Sequence, residues 1–181
     1  GITTSYQNDS MGNPVLISED GFETELTWGE GRMLTEVSDL LQTTSYTYNA
    51  DGLRVQKTVS GRIPVTTEYV WGEDGLAGLR SGNNTLILIY SEEGEAIGFD
   101  LNGETYQYVK NLQGDVLCIL DEDGEEIVRY SYDPWGKPEV SGDYLISSLN
   151  PCSYRGYDYD EETGYYYLQS RYYDPEIGRF L

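Results

Sequence analysis

Histidine is absent from the 181 residues. That removes the commonest general base, the Ser-His-Asp and Cys-His arrangements, and most zinc or copper sites. Any chemistry falls to carboxylates, arginine, tyrosine or the two thiols. Cysteine is scarce: Cys118 lies in the apolar run VLCIL and Cys152 in a loop-like NPCS context. Two cysteines are too few for a disulfide framework, so a Cys118–Cys152 bridge and two unpaired thiols both stay open. Positive charge is also scarce, with 11 Lys plus Arg against 32 Asp plus Glu and a net charge of −21. A generic nucleic-acid binder is thereby excluded, because phosphate contacts need a basic surface, and anionic membrane surfaces are disfavoured. Long apolar runs are missing, and residues 86–90 (LILIY) fall far short of a bilayer span. The sequence opens GITTSYQNDS, without an initiator Met or an apolar leader, and reads as a piece of something longer.

What is abundant is turn glycine and tyrosine. Turn glycines recur at Gly52, Gly75, Gly94, Gly114 and Gly124, each after an acidic residue or Gln, and at Gly136 in DPWG. The first four are spaced 23, 19 and 20 residues apart, the length of two short strands and two turns. Between them the pattern has period two: Tyr46-x-Tyr48, Tyr69-x-Trp71, Tyr106-x-Tyr108, Tyr130-x-Tyr132. Residues two apart in a strand share a face, so each pair sets two rings side by side. Tyr, Thr, Val and Ile suit strands, and Asp-Gly or Glu-Gly suits hairpin turns. The expectation is an all-β chain of successive hairpins. The one helical candidate is residues 35–41 (TEVSDLL), enough for two turns. Residues 60–64, 81–84 and, longest, 138–153 read as loops, and the chain divides into hairpin repeats at 1–137 and a final segment at 138–181.

That final segment holds the densest stretch. Residues 154–181 carry eight of the eighteen tyrosines, three arginines and, before Gly164, four acidic residues. So many rings must pack against something, since each removes much apolar surface from water. Most of the negative charge reads as a solubility device that keeps open sheet edges from pairing. DEDG at 121–124 resembles part of a calcium loop but lacks the spaced third carboxylate and the Glu at the twelfth position, so it reads as a turn. No cofactor is expected.

Two repeats, YTYNADGLRV from Tyr46 and YSYDPWGKP from Tyr130, resemble the YD repeat of RHS proteins. RGYDYDEETG from Arg155, with YYYLQSRYYDPEIGRFL after it, resembles the RHS repeat-associated core. The resemblance implies repeats wound into a curved, spiralling sheet, part of a hollow β-shell, closed by a tyrosine-rich plug. In bacterial members it further implies a variable C-terminal toxin held inside, release by an aspartate-based autoproteolytic site, and a place outside the cell or on its surface. Analogy nominates Asp160 as one carboxyl of that site and Arg155 as the charge that orients it. The second aspartate is expected just beyond GRFL, so the 181 residues should be inert as an enzyme. The bland reading of Asp160 is a hairpin turn, and Asp174 stands in reserve as an alternative carboxyl. Arg155 and Arg171 can equally stack on rings or pair with carboxylates.

The implied partners are upstream repeats of the same parent and a toxin cargo. A competing reading is an extracellular adhesion or carbohydrate-binding module, which would need tyrosines in an exposed row. A third is completion of another chain's sheet through an open edge.

Overall fold

The computed structural model describes residues 3–61, 63–73 and 75–181. Fourteen antiparallel strands pair strictly in chain order to form one sheet. They are β1 (Thr4–Asn8), β2 (Pro14–Glu19), β3 (Phe22–Trp28), β4 (Leu34–Ser38), β5 (Thr43–Tyr48), β6 (Arg54–Ser60) and β7 (Val65–Trp71). There follow β8 (Leu76–Ser81), β9 (Asn84–Tyr90), β10 (Ala96–Leu101), β11 (Glu104–Lys110), β12 (Val116–Leu120), β13 (Glu126–Tyr132) and β14 (Pro138–Gly142). A short helix, α1 (Tyr144–Leu149), leads to a second sheet of β15 (Asp158–Asp160), β16 (Tyr165–Tyr167), β17 (Tyr172–Asp174) and β18 (Arg179–Phe180).

The repeat spacing has a local cause. At the β5–β6 turn the Asn49 side chain accepts the N–H groups of Asp51 and Leu53, while Gly52 donates to the Asn49 carbonyl. Gly52 sits at φ 78°, where a side chain would be strained. The same turn recurs at Asp9, Ser91, Asn111, Asp121 and Asp133, each with a glycine three residues on. The acidic or Asn residue of the repeat is therefore a turn-former, and DEDG is one of these turns.

Alternation then sorts the faces. Leu79, Leu86, Phe99, Val116, Ile119 and Val128 turn inward with Ile146 and Leu149 of α1, while Leu26, Leu34, Val37 and Tyr46 turn inward against Tyr165, Tyr167 and Tyr172. The second sheet touches strands far apart in the first. Tyr172 meets Tyr46 and Tyr48 on β5, whereas Tyr166 and Tyr173 donate to the carbonyls of Gly136 and Trp135 in the β13–β14 turn. A sheet whose fifth and fourteenth strands reach one small plug has to curl around it, in keeping with the twist of any long sheet.

Two expectations fail. Residues 35–41 are strand β4 and a turn, because pairing with both β3 and β5 outweighs a weak helical period; Leu40 and Leu41 are left exposed at the tip. Residues 138–149 are no loop, though 150–153 are: β14 extends the large sheet past position 137 to Gly142, and α1 follows with Asp143 as its cap, accepting the Ile146 N–H at 3.0 Å. Cys118 and Cys152 are both free and buried, and burial pushes the Cys152 thiol up to about 11. Among the described residues no helix is long and apolar enough to cross a membrane.

Candidate functional site

In β15 Asp158 and Asp160 alternate with Tyr159, so the two carboxylates share one face, turned toward β6. On β6 the register skips a residue where Tyr48 pairs Arg54 but Thr47 pairs Gln56. This bulge puts Arg54 and Lys57, three apart in sequence, on the same inward side. The two segments close on each other as an ion cluster. Arg54, 0% exposed, gives Nη1 to Asp160 Oδ2 at 2.6 Å and Nη2 to Asp158. Lys57 Nζ reaches Asp160 Oδ1 at 2.9 Å and Glu162 Oε2 at 3.1 Å. Tyr46 donates its hydroxyl to Asp160 Oδ2 at 3.1 Å.

Rings complete the cage. The Arg54 guanidinium lies 4.4 Å from the Tyr167 ring centroid and 4.6 Å from that of Tyr69. The backbone is held as well: Arg54 N donates to the Tyr167 hydroxyl, and Trp71 Nε1 donates to the Arg54 carbonyl at 2.7 Å.

The two carboxyls are driven apart. Burial alone would raise Asp160, but the Arg54 and Lys57 charges and hydrogen bonds outweigh it and hold the group below its ordinary value. For Asp158 burial prevails over the Arg54 charge, and its value is raised. The linkage signs follow. Asp160 contributes stability that is fully present above the unfolded carboxylate value of about 4 and is lost as pH falls through its lower folded value. Asp158 works the other way, since folding favours its protonated form. D160N is therefore expected to cost ~2–3 kcal/mol near pH 7 through lost charge-assisted bonds, with the gap to wild type narrowing as the pH is lowered to 3. Urea midpoints at the two pH values check this; a gap unchanged at pH 3 would rule out the Asp160 charge as its source.

Arg155 does not join Asp160. It is exposed, its N–H donates to Asp115 Oδ1 at 2.9 Å, and its guanidinium lies over the Tyr154 ring at 5.4 Å. The left-handed backbone at Arg155, φ 52°, belongs to the turn that joins α1 to β15. The cations that touch Asp160 are Arg54 and Lys57, which lie 106 and 103 residues before it. Arg54 stands inside the quoted repeat NADGLRV, but nothing in that pattern says that the arginine points inward. Asp160 is also the turn-former of the β15–β16 hairpin, its carbonyl accepting the Gly164 N–H at 2.8 Å. Asp174 is 7% exposed, accepts the Glu176 N–H at 2.8 Å, and is raised by burial. It lines a cavity of about 380 Å³ between β1, β2 and the plug. Arg171 stacks on Phe180.

Tyr166, 0% exposed, is the centre of the plug, with the Tyr154, Tyr159 and Tyr173 ring centroids 4.8 to 6.4 Å away. Tyr46, Tyr69, Tyr106 and Tyr130 are likewise buried, so the aromatic pairs of the repeats look inward. Among the described residues no three His, Cys, Asp or Glu side chains are grouped as a metal would require.

A family profile described as the teneurin YD-shell matches residues 80–181. The chain belongs to the YD-shell family. Relatives of this YD-shell chain include the tRNA3(Ser)-specific nuclease WapA of Bacillus spizizenii, 38% identical over 141 residues, or 76% of the chain and 6% of the relative. The tRNA(Glu)-specific nuclease WapA of Bacillus subtilis subsp. natto is 37% identical over the same shares. In the crystal structure of TcdB2-TccC3-Cdc42 the same fold covers 99% of this chain and 12% of that one, with TM-score 0.68 and 19% identity. The chain thus spans a small fraction of the length of the proteins it matches.

Proposed function

We propose that this YD-shell chain is a length of wall and its inner plug from a secreted or surface-borne bacterial shell that encloses a toxin, and that the plug contributes a carboxyl to the cleavage that frees the cargo. The observation that carries it is the buried Arg54–Asp160 pair, which ties the plug to the inner face of a fourteen-stranded sheet. Two relatives whose names give different tRNA targets share this same segment, which supports a carrier role over a target-reading one. The inward tyrosines favour a wall over a glycan-binding surface.

Of the two carboxyls the sequence nominates, Asp174 suits cleavage better than Asp160. A hydrolytic pair needs a carboxyl that holds or shares a proton near working pH. Both Asp160 oxygens are taken by cations, and its value is lowered, whereas Asp174 is raised and borders a cavity.

The test uses the chain joined to upstream repeats and, past Leu181, to the parent's own following segment, where the second aspartate is expected, and its toxin domain. Trypsin is expected to spare the toxin while it digests free toxin, and D174N is expected to leave the two parts covalently linked. Equal digestion of both toxins would defeat the enclosure. Continued cleavage in D174N, with folded D160N inert, would return the cleavage role to Asp160.

A further inference from the structure

Eleven Lys and Arg residues serve a chain with 32 carboxylates, so a cavity wall that carries several cations and no Asp or Glu is the exception on this surface. One such group lines an open cavity of about 670 Å³: Arg32, Arg171 and Arg179, with no Asp or Glu among the described lining residues. The three come from separate places, namely the turn between β3 and β4, the turn before β17, and β18. Among the described residues none of them forms an ion pair with a carboxylate.

Two of the three are already held in place. Arg32 Nε donates to Asn13 Oδ1 at 2.8 Å, and Asn13, 2% exposed, is fixed in turn by Asp9. The Arg171 guanidinium lies 4.7 Å from the Phe180 ring centroid. A guanidinium has five N–H donors, so one bond or one stacked face leaves most of them for a ligand. Pro14, Ile177 and Phe180 add apolar wall.

We propose that this cavity binds an acidic peptide segment, with neighbouring carboxylates on the guanidinium forks and an apolar side chain against Phe180 and Ile177. Arginine suits that task, because its planar fork matches a carboxylate with two parallel hydrogen bonds. Three guanidiniums spread around a cavity of this volume exceed what one phosphate can engage, and a lone phosphate would leave the apolar wall uncovered. The net charge of −21 repels any polyanion at long range, so affinity for an acidic peptide has to come from the local cluster. The inference relies on neither Asp160 nor Asp174 for binding, although Leu181, after which the toxin of the enclosure reading follows, also lines the cavity.

A fluorescein-labelled ELEELE peptide, followed by anisotropy as the chain is titrated in, tests it. Saturable binding is expected, with KLKKLK inactive. R32Q, R171Q and R179Q are each expected to weaken binding about tenfold or more, the scale of a lost charge-assisted bond. R129Q, at an exposed arginine paired with Glu126, is expected to leave it unchanged. The three test positions are exposed and lie on separate segments, so one variant that fails to fold leaves two others. Absence of saturable binding overturns the proposal, as does an equal loss in R129Q. Displacement of the peptide by inorganic phosphate at equal concentration overturns it too, since that describes a simple anion site.

Discussion

Arg54→Met is expected to destabilise the chain by ~3–5 kcal/mol, the cost of removing one partner from a buried ion pair. The side chain is 0% exposed and supplies charge to both Asp158 and Asp160. Methionine fills much of the volume but leaves the buried Asp160 with Lys57 as its one cationic partner and the half-buried Asp158 with no ion pair among the described residues. Domain stabilities are typically ~5–15 kcal/mol, so the loss is a large share of the total. Urea denaturation at pH 7 measures it, and Trp71, whose indole donates to the Arg54 carbonyl, gives a fluorescence signal at the site. The double variant R54M/D160N should lose less than the sum of the two singles, by ~0.5–3 kcal/mol, because the second change removes a charge that the first has stranded. Strict additivity would show that the two side chains do not act as a pair. Arg54→Lys should not restore the native value, since one ammonium cannot span two carboxylates as the guanidinium fork does.

The same residues show where sequence reasoning reached and where it stopped. Strands and turns were legible because their causes are local: an Asn49-x-x-Gly52 turn is written in four consecutive residues, and Tyr46-x-Tyr48 announces its own face. The family could be read from the C-terminal motif for the same reason. The partner of Asp160 could not, because the pairing joins β6 to β15 across 106 residues and depends on a bulge that turns Lys57 to the same side as Arg54. Proximity in the motif made Arg155 the natural choice, yet a left-handed turn residue aims its side chain by the path of the loop. The short helix α1 was missed on other grounds. Six residues carry less than two turns of periodicity, and only the Asp143 cap with Ile146 and Leu149 three apart marks it.

Truncation of Tyr166 tests whether the rings or the ions hold the plug. Tyr166→Ala is expected to cost ~3–5 kcal/mol, as for other large buried aromatics, because the lost contacts and the residual cavity both count. Its ring touches Tyr154, Tyr159 and Tyr173, and its hydroxyl donates to the Gly136 carbonyl at 2.8 Å, so one side chain links the plug to the β13–β14 turn. Tyr166→Phe keeps the packing and strands that acceptor, an expected ~1 kcal/mol. The turns around the plug are tightly packed: a Cβ at Gly136 would stand 2.6 Å from the Tyr154 ring, and one at Gly178 would stand 2.7 Å from the Trp135 ring. Hydrogen exchange distinguishes the two anchors. Tyr166→Ala should raise exchange first at β16 and β17, and Arg54→Met first at β15 and β6. Uniform loss of protection in both variants would mean that wall and plug open as one unit.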